Sequence, residues 1–370
     1  MKRLTATQIL ILIPVLLFSG CWDQRVIEET GILFQVGIEP ASGDKILVTS
    51  VFPAFDSRLP NQDEVITTEA NLLQEAIEEA KTITDKRVEG GKVQQILFAK
   101  EIAGQGIQEL LEFFKRDPLI SPLAQVVIVD GSPKELLEKA RTFASKARTV
   151  FYINRLLAKN VNYLHVPETS IYDFSIYSLA PGLDPITPLL KLEPDGIRVL
   201  GSALFSAGRM VGQLDTQQTA LLLAMMGRAP KTEFVFIASG LERDSPLKRG
   251  AAFTIRESHR KIRLDLQGRR LAIDILLDLR GVLDEYDQDM LDQAGPQEVL
   301  EERLSREVQE NCLGILGYTQ RLGSDPIGFG DLVRAKYYSA WKTMDWEEVY
   351  RDATVNVEVK MEIRQFGLIK

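Results

Sequence analysis

The stretch Val355-Asn356-Val357-Glu358-Val359-Lys360-Met361-Glu362-Ile363-Arg364 alternates apolar and polar side chains along its whole length. Successive side chains of a β-strand point to opposite faces, so this period of two predicts a strand with one buried and one solvated face. Such a strand needs neighbouring strands and a layer that covers its apolar side. The stretch therefore predicts that the chain ends in a sheet with helices packed on one face.

The residues before this stretch extend the same sheet. Residues 261–266 and 271–279 also alternate, and the turn Gln267-Gly268-Arg269-Arg270 between them has hairpin composition. A long helix is predicted over about 297–316 and a shorter one near 332–341. Strands at 197–205, 210–214, 234–237 and 252–255 and a short helix over 217–226, capped by Asp215, complete this half. The C-terminal half is thus predicted to be an antiparallel sheet with helices on one face.

The first half of the chain has a different pattern, in which strands and helices alternate. Strands are predicted at 32–38, 45–51, 93–99 and 124–129, and helices at 72–83, 107–114 and 136–147, the last with Ser132 as its cap before Pro133. This alternation predicts a mixed α/β region with some parallel pairing. The whole chain is therefore predicted to be a multi-domain α+β protein.

The proline-rich stretch 167–194 shows little periodicity and is the best candidate boundary between the halves. It divides the chain into an N-terminal domain at 21–194 and a C-terminal domain at 195–370. Whether the N-terminal domain consists of two subdomains stays open. A ligand-facing role for the same stretch stays open.

The composition excludes several classes of protein. The 370 residues include 44 Lys and Arg against 52 Asp and Glu, a formal net charge of −8, and no basic block stands out. This balance disfavours a nucleic-acid partner. Two cysteines cannot build a disulfide framework, and two histidines are too few for an ordinary zinc site. No cofactor or metal is therefore predicted.

The N-terminus raises a choice between a membrane span, a secretion signal and a lipid attachment point. Lys2 and Arg3 precede an apolar run at 9–18, and Ser19 and Gly20 stand before Cys21. The run is about half of the roughly 20 apolar residues that a spanning helix needs, and it has the length of a secretory signal.

The segment Phe18-Ser19-Gly20-Cys21 resembles a bacterial lipobox, although Phe18 stands where leucine is commonest. The resemblance implies that residues 1–20 are a signal peptide, and that Cys21 carries a lipid as the first residue of the mature chain. Acyl chains anchor a protein at roughly 0.8 kcal/mol per buried CH₂, without a spanning helix. The alternative is a core cysteine beside an uncleaved anchor helix.

The sequence contains only weak candidates for catalytic motifs. Gly104 and Gly106 suggest a dinucleotide fingerprint, but Glu109 stands where the third small residue is needed, so a turn between a strand and a helix is favoured. His165 and His259 have no recognisable catalytic neighbour. Cys312 lies on the helical stripe Leu300, Leu304, Val308, Cys312 and Ile315, which predicts a buried core thiol.

An acidic cluster follows the strand at 271–279. Asp284, Glu285, Asp287 and Asp289 could bind a cation weakly, but their spacing lacks the glycine and the terminal glutamate of a calcium loop. A solvated acidic turn is favoured. No catalytic residue is predicted, and the chain is expected not to be an enzyme.

Several segments together resemble the Ger(x)C family of spore germination proteins. In chain order they are Cys21-Trp22-Asp23, Val36-Gly37-Ile38, FKRDP at 114–118, DGIRVLGSALF at 195–205, RMVGQLD at 209–215, DPIGFGD at 325–331, Trp341, Trp346 and RQFGL at 364–368. Tyr337-Tyr338 stands where the family commonly has Tyr-Pro.

This resemblance implies a lipoprotein subunit of a nutrient germinant receptor, anchored on the outer face of the inner spore membrane. It also implies two integral-membrane partners, the A and B subunits, and a response to small nutrients. Two other hypotheses stay open. A solute-binding lipoprotein of a transporter should have two similar α/β lobes, and a carboxylate-dependent hydrolase should bring two acidic residues together in one cleft.

Overall fold

The computed structural model describes residues 30–53, 63–89, 92–117, 120–143, 149–229, 234–238, 250–286 and 294–366. The predicted signal peptide and Cys21 lie outside these residues, as do Asp287 and Asp289 of the predicted acidic turn. Among the helices that are described, none combines the length and the apolar character needed to span a bilayer.

An eight-stranded mixed sheet, the large sheet, forms the centre of the N-terminal region. Its spatial order is β10 (Arg209–Asp215), β9 (Gly196–Ser206), β8 (Ile186–Glu193), β7 (Gln125–Val129), β6 (Gln95–Ala99), β2 (Gln35–Pro40), β3 (Ile46–Phe52) and β4 (Glu64–Ala70). The four central strands from β8 to β2 run parallel, and antiparallel pairs extend the sheet at both edges. β1 (Thr30–Ile32) and β5 (Arg87–Glu89) form a separate parallel pair. The parallel centre confirms the predicted mixed α/β character.

Helices cover both faces of the large sheet. One face packs against α1 (Leu73–Ile83), α2 (Lys100–Gln105), α3 (Gln108–Arg116) and α6 (Ile171–Leu179), and the other against α4 (Pro133–Ala140) and α5 (Thr149–Asn162). Strand β6 is consequently buried at every residue. The predicted cap of α4 is confirmed, because the Ser132 Oγ accepts a hydrogen bond from the Glu135 N–H at 3.1 Å.

The proline-rich stretch 167–194 is more ordered than its sequence predicts. It contains α6 and β8, which the sequence did not predict as elements. Pro167, Pro181, Pro185 and Pro194 lie outside α6 and β8, whereas Pro188 lies within β8, opposite Ser202 of β9. Ser170 begins α6 with a capping box to Asp173.

The C-terminal region is a four-stranded sheet in the order β11 (Phe234–Ala238), β12 (Ala251–Gln267), β13 (Arg270–Tyr286) and β14 (Thr354–Phe366). The long helix α8 (Ala294–Leu322) covers its inner face, and α9 (Phe329–Lys336), α10 (Tyr338–Trp341) and α11 (Trp346–Asp352) precede β14. The alternation in β14 is confirmed, since Val357, Val359, Met361 and Ile363 are buried. Cys312 and the rest of its predicted stripe on α8 are also buried, which confirms its core position.

The predicted α+β fold class is confirmed, with one difference in strand direction. β11, β12 and β13 pair antiparallel as predicted, whereas β14 runs parallel to β13. Parallel neighbours require a long crossover connection. Helices α8 to α11 supply this crossover between β13 and β14.

The large sheet continues past residue 194, where the sequence places the domain boundary. β9 and β10 follow that boundary, and β9 pairs with β8 along residues 196–204. Helix α7 (Thr216–Met225) then enters the C-terminal core, with the predicted cap Asp215 accepting from the Gln218 N–H at 2.8 Å. The division at 194 stays a prediction.

Candidate functional site

Two backbone segments far apart in sequence meet where the large sheet contacts the C-terminal region. The Gly182 carbonyl accepts a hydrogen bond from the Asp331 N–H at 3.1 Å, and the Asp325 carbonyl accepts one from the Asp184 N–H at 3.0 Å. A Cβ atom on Gly330 would lie 2.7 Å from the Trp346 ring and even closer to the Cα of Gly182. Only glycine allows this approach. We call residues 182–184, 206–207 and 324–330 the Asp184–Asp325 joint.

The carboxylate of Asp325 organises the C-terminal side of this joint. Its Oδ1 accepts hydrogen bonds from the N–H groups of Gly328 at 2.9 Å and Phe329 at 3.0 Å, and its Oδ2 accepts one from Gly330 at 2.8 Å. Gly328 has a φ of 79°, which the chain needs to wrap around the carboxylate. Asp325 thereby satisfies the free N–H groups at the start of α9.

Asp184 organises the opposite side of the joint. Its Oδ2 accepts a hydrogen bond from the Asp325 N–H at 2.8 Å, and the backbone amide of Ala207 also donates to this carboxylate. Ala207 lies at the tip of the β9–β10 hairpin with a φ of 48°, a left-handed conformation that non-glycine residues adopt rarely. The Ser324 Oγ donates to the Phe205 carbonyl at 2.7 Å beside it. The joint thus links the hairpin to the C-terminal region.

Burial has the largest effect on the pKa of both carboxyl groups. It raises the pKa of Asp184 from its ordinary value to about 6 and that of Asp325 to about 7. The negative charge of Glu347 adds to the rise at Asp184, and that of Asp184 adds to the rise at Asp325. The backbone N–H donors act in the opposite direction but do not overcome the loss of hydration.

Aromatic side chains close the joint on the C-terminal side. Trp346 stacks on Tyr350 with ring centroids 5.5 Å apart, and Phe329 and Trp341 lie next to this pair. The Tyr350 hydroxyl is 3.0 Å from the Thr319 Oγ1, and burial raises the pKa of this phenol. Two residues of the family resemblance, Trp341 and Trp346, therefore support the joint.

The geometry of the joint bears on the hypothesis that this protein is a carboxylate-dependent hydrolase. Two acidic residues do converge, as that hypothesis requires. Their carboxylates, however, accept hydrogen bonds from the backbone amides of residues 207, 325, 328, 329 and 330. A carboxylate held in this way fixes loop conformation and has little capacity left to act on a substrate. The arrangement is suited to holding two parts of the chain together.

The two histidines lie on different elements: His165 follows α5, and His259 lies in β12. His165 Nδ1 is 3.0 Å from the Asn160 Oδ1, its ring stacks on Tyr163, and burial lowers its pKa, followed in effect by the charge of Lys159. His259 is exposed on the outer face of the C-terminal sheet, directly opposite Asp278 on β13. Neither position provides an acid–base pair with a nucleophile.

Burial raises the pKa of the Cys312 thiol to about 12, so it is protonated at neutral pH.

Gly104 lies within α2, and Gly106, with a φ of 118°, ends that helix. The prediction of a turn directly from strand to helix was therefore wrong in detail, because a short helix intervenes. Asp284 in β13 accepts a hydrogen bond from the Thr254 hydroxyl in β12. In the described part of the chain, no three His, Cys, Asp or Glu residues are grouped to hold a metal ion.

A groove of about 720 Å³ lies between β12 and α9 and carries three cationic side chains. Two of them are engaged by the backbone: Arg260 Nη1 donates to the Met225 carbonyl and Lys336 Nζ to the Leu264 carbonyl, both at 2.7 Å. These contacts stabilise the C-terminal region.

Comparisons with known proteins agree with this architecture. Residues 23–192 match the family "Spore germination protein N-terminal domain", and residues 200–367 match "Spore germination B3/ GerAC like, C-terminal". The chain is 18% identical to the spore germination protein GerQC of Bacillus cereus, over 97% of this chain and 98% of that protein. It is 20% identical to the spore germination protein KC of Bacillus subtilis, over 100% and 97% of the two chains.

The fold is also similar to that of a solved structure. The crystal structure of the GerBC protein covers 89% of this chain and 96% of its own, with a TM-score of 0.60 and 16% identity. The two family matches leave out only a short segment between residues 192 and 200 and the ends of the chain. The chain therefore belongs to the Ger(x)C family of spore germination proteins, the C-subunit family of germinant receptors.

Proposed function

We propose that this protein is a lipid-anchored, non-enzymatic subunit of a spore nutrient germinant receptor. It is attached through Cys21 to the outer face of the inner spore membrane and acts with integral-membrane A and B subunits to trigger germination. The observation that carries the proposal is the family match over nearly the whole chain, whose N-terminal part begins at residue 23, two positions after Cys21.

Two further observations support a binding role without catalysis. The converging carboxylates of Asp184 and Asp325 hold backbone amides together, which suits a rigid body that presents surfaces to partners. The two regions also differ in construction, since the large sheet has helices on both faces whereas α8 covers one face of the C-terminal sheet. This difference disfavours the solute-binding lipoprotein of a transporter, which should have two similar lobes.

The lipid anchor is tested with cells that express the full chain and are fed labelled fatty acid. We expect label in the wild type and in Cys312→Ala, which keeps Cys21, and no label in Cys21→Ala. Cys312→Ala is the matched control because it also removes one thiol. Label that persists in Cys21→Ala would contradict the anchor.

The receptor assignment is tested by mild detergent extraction of spore membranes and affinity purification of the tagged protein. We expect two integral-membrane proteins of the germinant-receptor class to co-purify with the wild type, and fewer with Cys21→Ala. The assignment fails if the wild type, itself found in the membrane fraction, retains no integral-membrane partner.

A further inference from the structure

A polar cavity of about 350 Å³ opens at the amino ends of β6 and β7, next to α5 and the start of α6. Its size is within the range of small-molecule sites. The polar lining consists mainly of side-chain amides and carboxylates, contributed by Gln94, Gln95, Gln125, Asn154, Glu168 and Asp173. This amide-lined cavity belongs to no part of the Asp184–Asp325 joint.

A row of three glutamines crosses the large sheet at the cavity, and two of them, Gln95 and Gln125, line it. Gln35, Gln95 and Gln125 begin three adjacent parallel strands and are paired in register, so their side chains share one face of the large sheet. Gln35 Nε2 donates to Gln95 Oε1 at 2.9 Å, and Gln95 Nε2 donates to Asn154 Oδ1 at 3.4 Å. Gln35 and Gln95 are almost completely buried. These hydrogen bonds fix the side chains of Gln35 and Gln95.

The row leaves hydrogen-bond acceptors unused. Within the described residues, the Oε1 atoms of Gln94 and Gln125 are shielded from solvent and accept no hydrogen bond, and neither does the Oε1 of Gln35 behind them. Buried carbonyl oxygens of this kind nearly always have a donor in folded proteins. Two of these oxygens belong to residues that line the cavity, so they are candidate acceptors for a donor placed in it.

The charge of the lining favours a cationic donor. Glu168 and Asp173 add two carboxylates, and the lining residues that the structure describes include no Lys or Arg. The Asp173 Oδ2 accepts from the Ser170 backbone N–H at 3.1 Å and from its hydroxyl at 2.7 Å, which fixes the position of this charge. Leu123 lines the same cavity with 73% of its surface exposed, which provides an apolar contact for carbon atoms of a ligand.

We propose that the amide-lined cavity binds a small organic amine through its primary ammonium group. An ammonium group has three donors, which match the unused amide oxygens and a carboxylate, and its charge balances Glu168 and Asp173. A ligand carboxylate would face these two acidic residues without a cation to receive it. The cavity therefore discriminates an amine from the corresponding α-amino acid. The proposal does not depend on the lipid anchor or on the receptor partners.

The test measures binding to the full-length protein in detergent by calorimetry and by thermal unfolding. Ethanolamine and putrescine are the ammonium probes, serine is the amino acid that corresponds to ethanolamine, and myo-inositol is a probe with hydroxyl groups alone. We expect the two amines to bind and to raise the unfolding temperature. Serine is expected to bind at least about tenfold more weakly than ethanolamine, and myo-inositol not to bind.

Three variants locate the site. Glu168→Gln removes a charge and Gln125→Leu removes an unused carbonyl at similar volume, so each is expected to weaken amine binding about tenfold or more. Glu138→Gln, an exposed change on α4, is the matched control and is expected to bind as the wild type does. Equal binding of serine and ethanolamine, binding of myo-inositol alone, no binding of either amine, or undiminished binding by Glu168→Gln would each overturn the proposal.

Discussion

The ionisation of Asp325 gives the sharpest test of how the joint is built. Two effects oppose each other at this carboxyl group: three backbone N–H donors stabilise its anion, and complete burial destabilises it. Burial prevails and raises the pKa from its ordinary value of 3.8 to about 7, with the nearby Asp184 adding to the rise. The perturbation that isolates this group is Asp325→Asn, which is neutral at every pH.

The pKa in the folded protein lies above that in the unfolded chain, so the folded state binds the proton more tightly. The contribution of Asp325 to the free energy of unfolding is therefore fully present below about pH 4 and is lost as the pH rises through about 7. A rise of roughly three pH units corresponds to about 4 kcal/mol, at about 1.36 kcal/mol per unit. Asp325→Asn loses one acceptor, opposite the Gly330 N–H, which costs about 1–3 kcal/mol at every pH.

We consequently expect Asp325→Asn to be about 1–3 kcal/mol less stable than the wild type near pH 4, and as stable or more stable near pH 8. The measurement is urea unfolding followed by tryptophan fluorescence, to which Trp346 contributes because its ring contacts Gly330 of the joint. Asp265→Asn, the same substitution at an exposed position of the β12–β13 hairpin, is the matched control. The reasoning would be refuted if the loss of stability in Asp325→Asn relative to the wild type stayed constant or grew as the pH rises. The N–H donors would then affect the pKa of Asp325 more than burial does.

Three other predictions concern packing and capping. Gly330→Ala should lower the free energy of unfolding by about 1–3 kcal/mol, because the added Cβ would overlap Trp346. Gly314→Ala on α8 is the control, since the space around its Cβ is open, and it should raise the free energy of unfolding by about 0.5–1 kcal/mol. Urea unfolding measures both. Cys312 should not react with a maleimide in the native protein and should react after unfolding, as followed by mass spectrometry. Ser132→Ala should cost about 1 kcal/mol in the same unfolding assay, since it removes the cap of α4.

Local patterns predicted the elements that depend on nearby residues. The alternation from Val355 to Ile363 gave the strand and its buried face, and Ser132 and Asp215 gave the starts of two helices, because each of these features depends on a few adjacent residues. The direction of β14 relative to β13 could not be predicted from the sequence, since the alternation of side chains is the same in parallel and antiparallel strands.

The functional features depend on contacts between distant residues. Asp184 and Asp325 are 141 positions apart, and the sequence around each gives no sign of the other. The glycines after Asp325 are the one local signal, because they allow backbone N–H groups to converge on a carboxylate. Gln95 and Gln125 of the amide-lined cavity are similarly hard to recognise from the sequence, since each is simply the polar first residue of its strand.

The continuity of the large sheet across residue 194 has a consequence for dividing the protein into fragments. A polypeptide that ends at 194 keeps β8 but loses β9, its partner along eight residue pairs. β8 would become a bare edge with unpaired N–H and C=O groups and apolar side chains, which favours aggregation by edge-to-edge pairing. A soluble N-terminal fragment should therefore extend to Asp215, so that the β9–β10 hairpin covers the edge of β8.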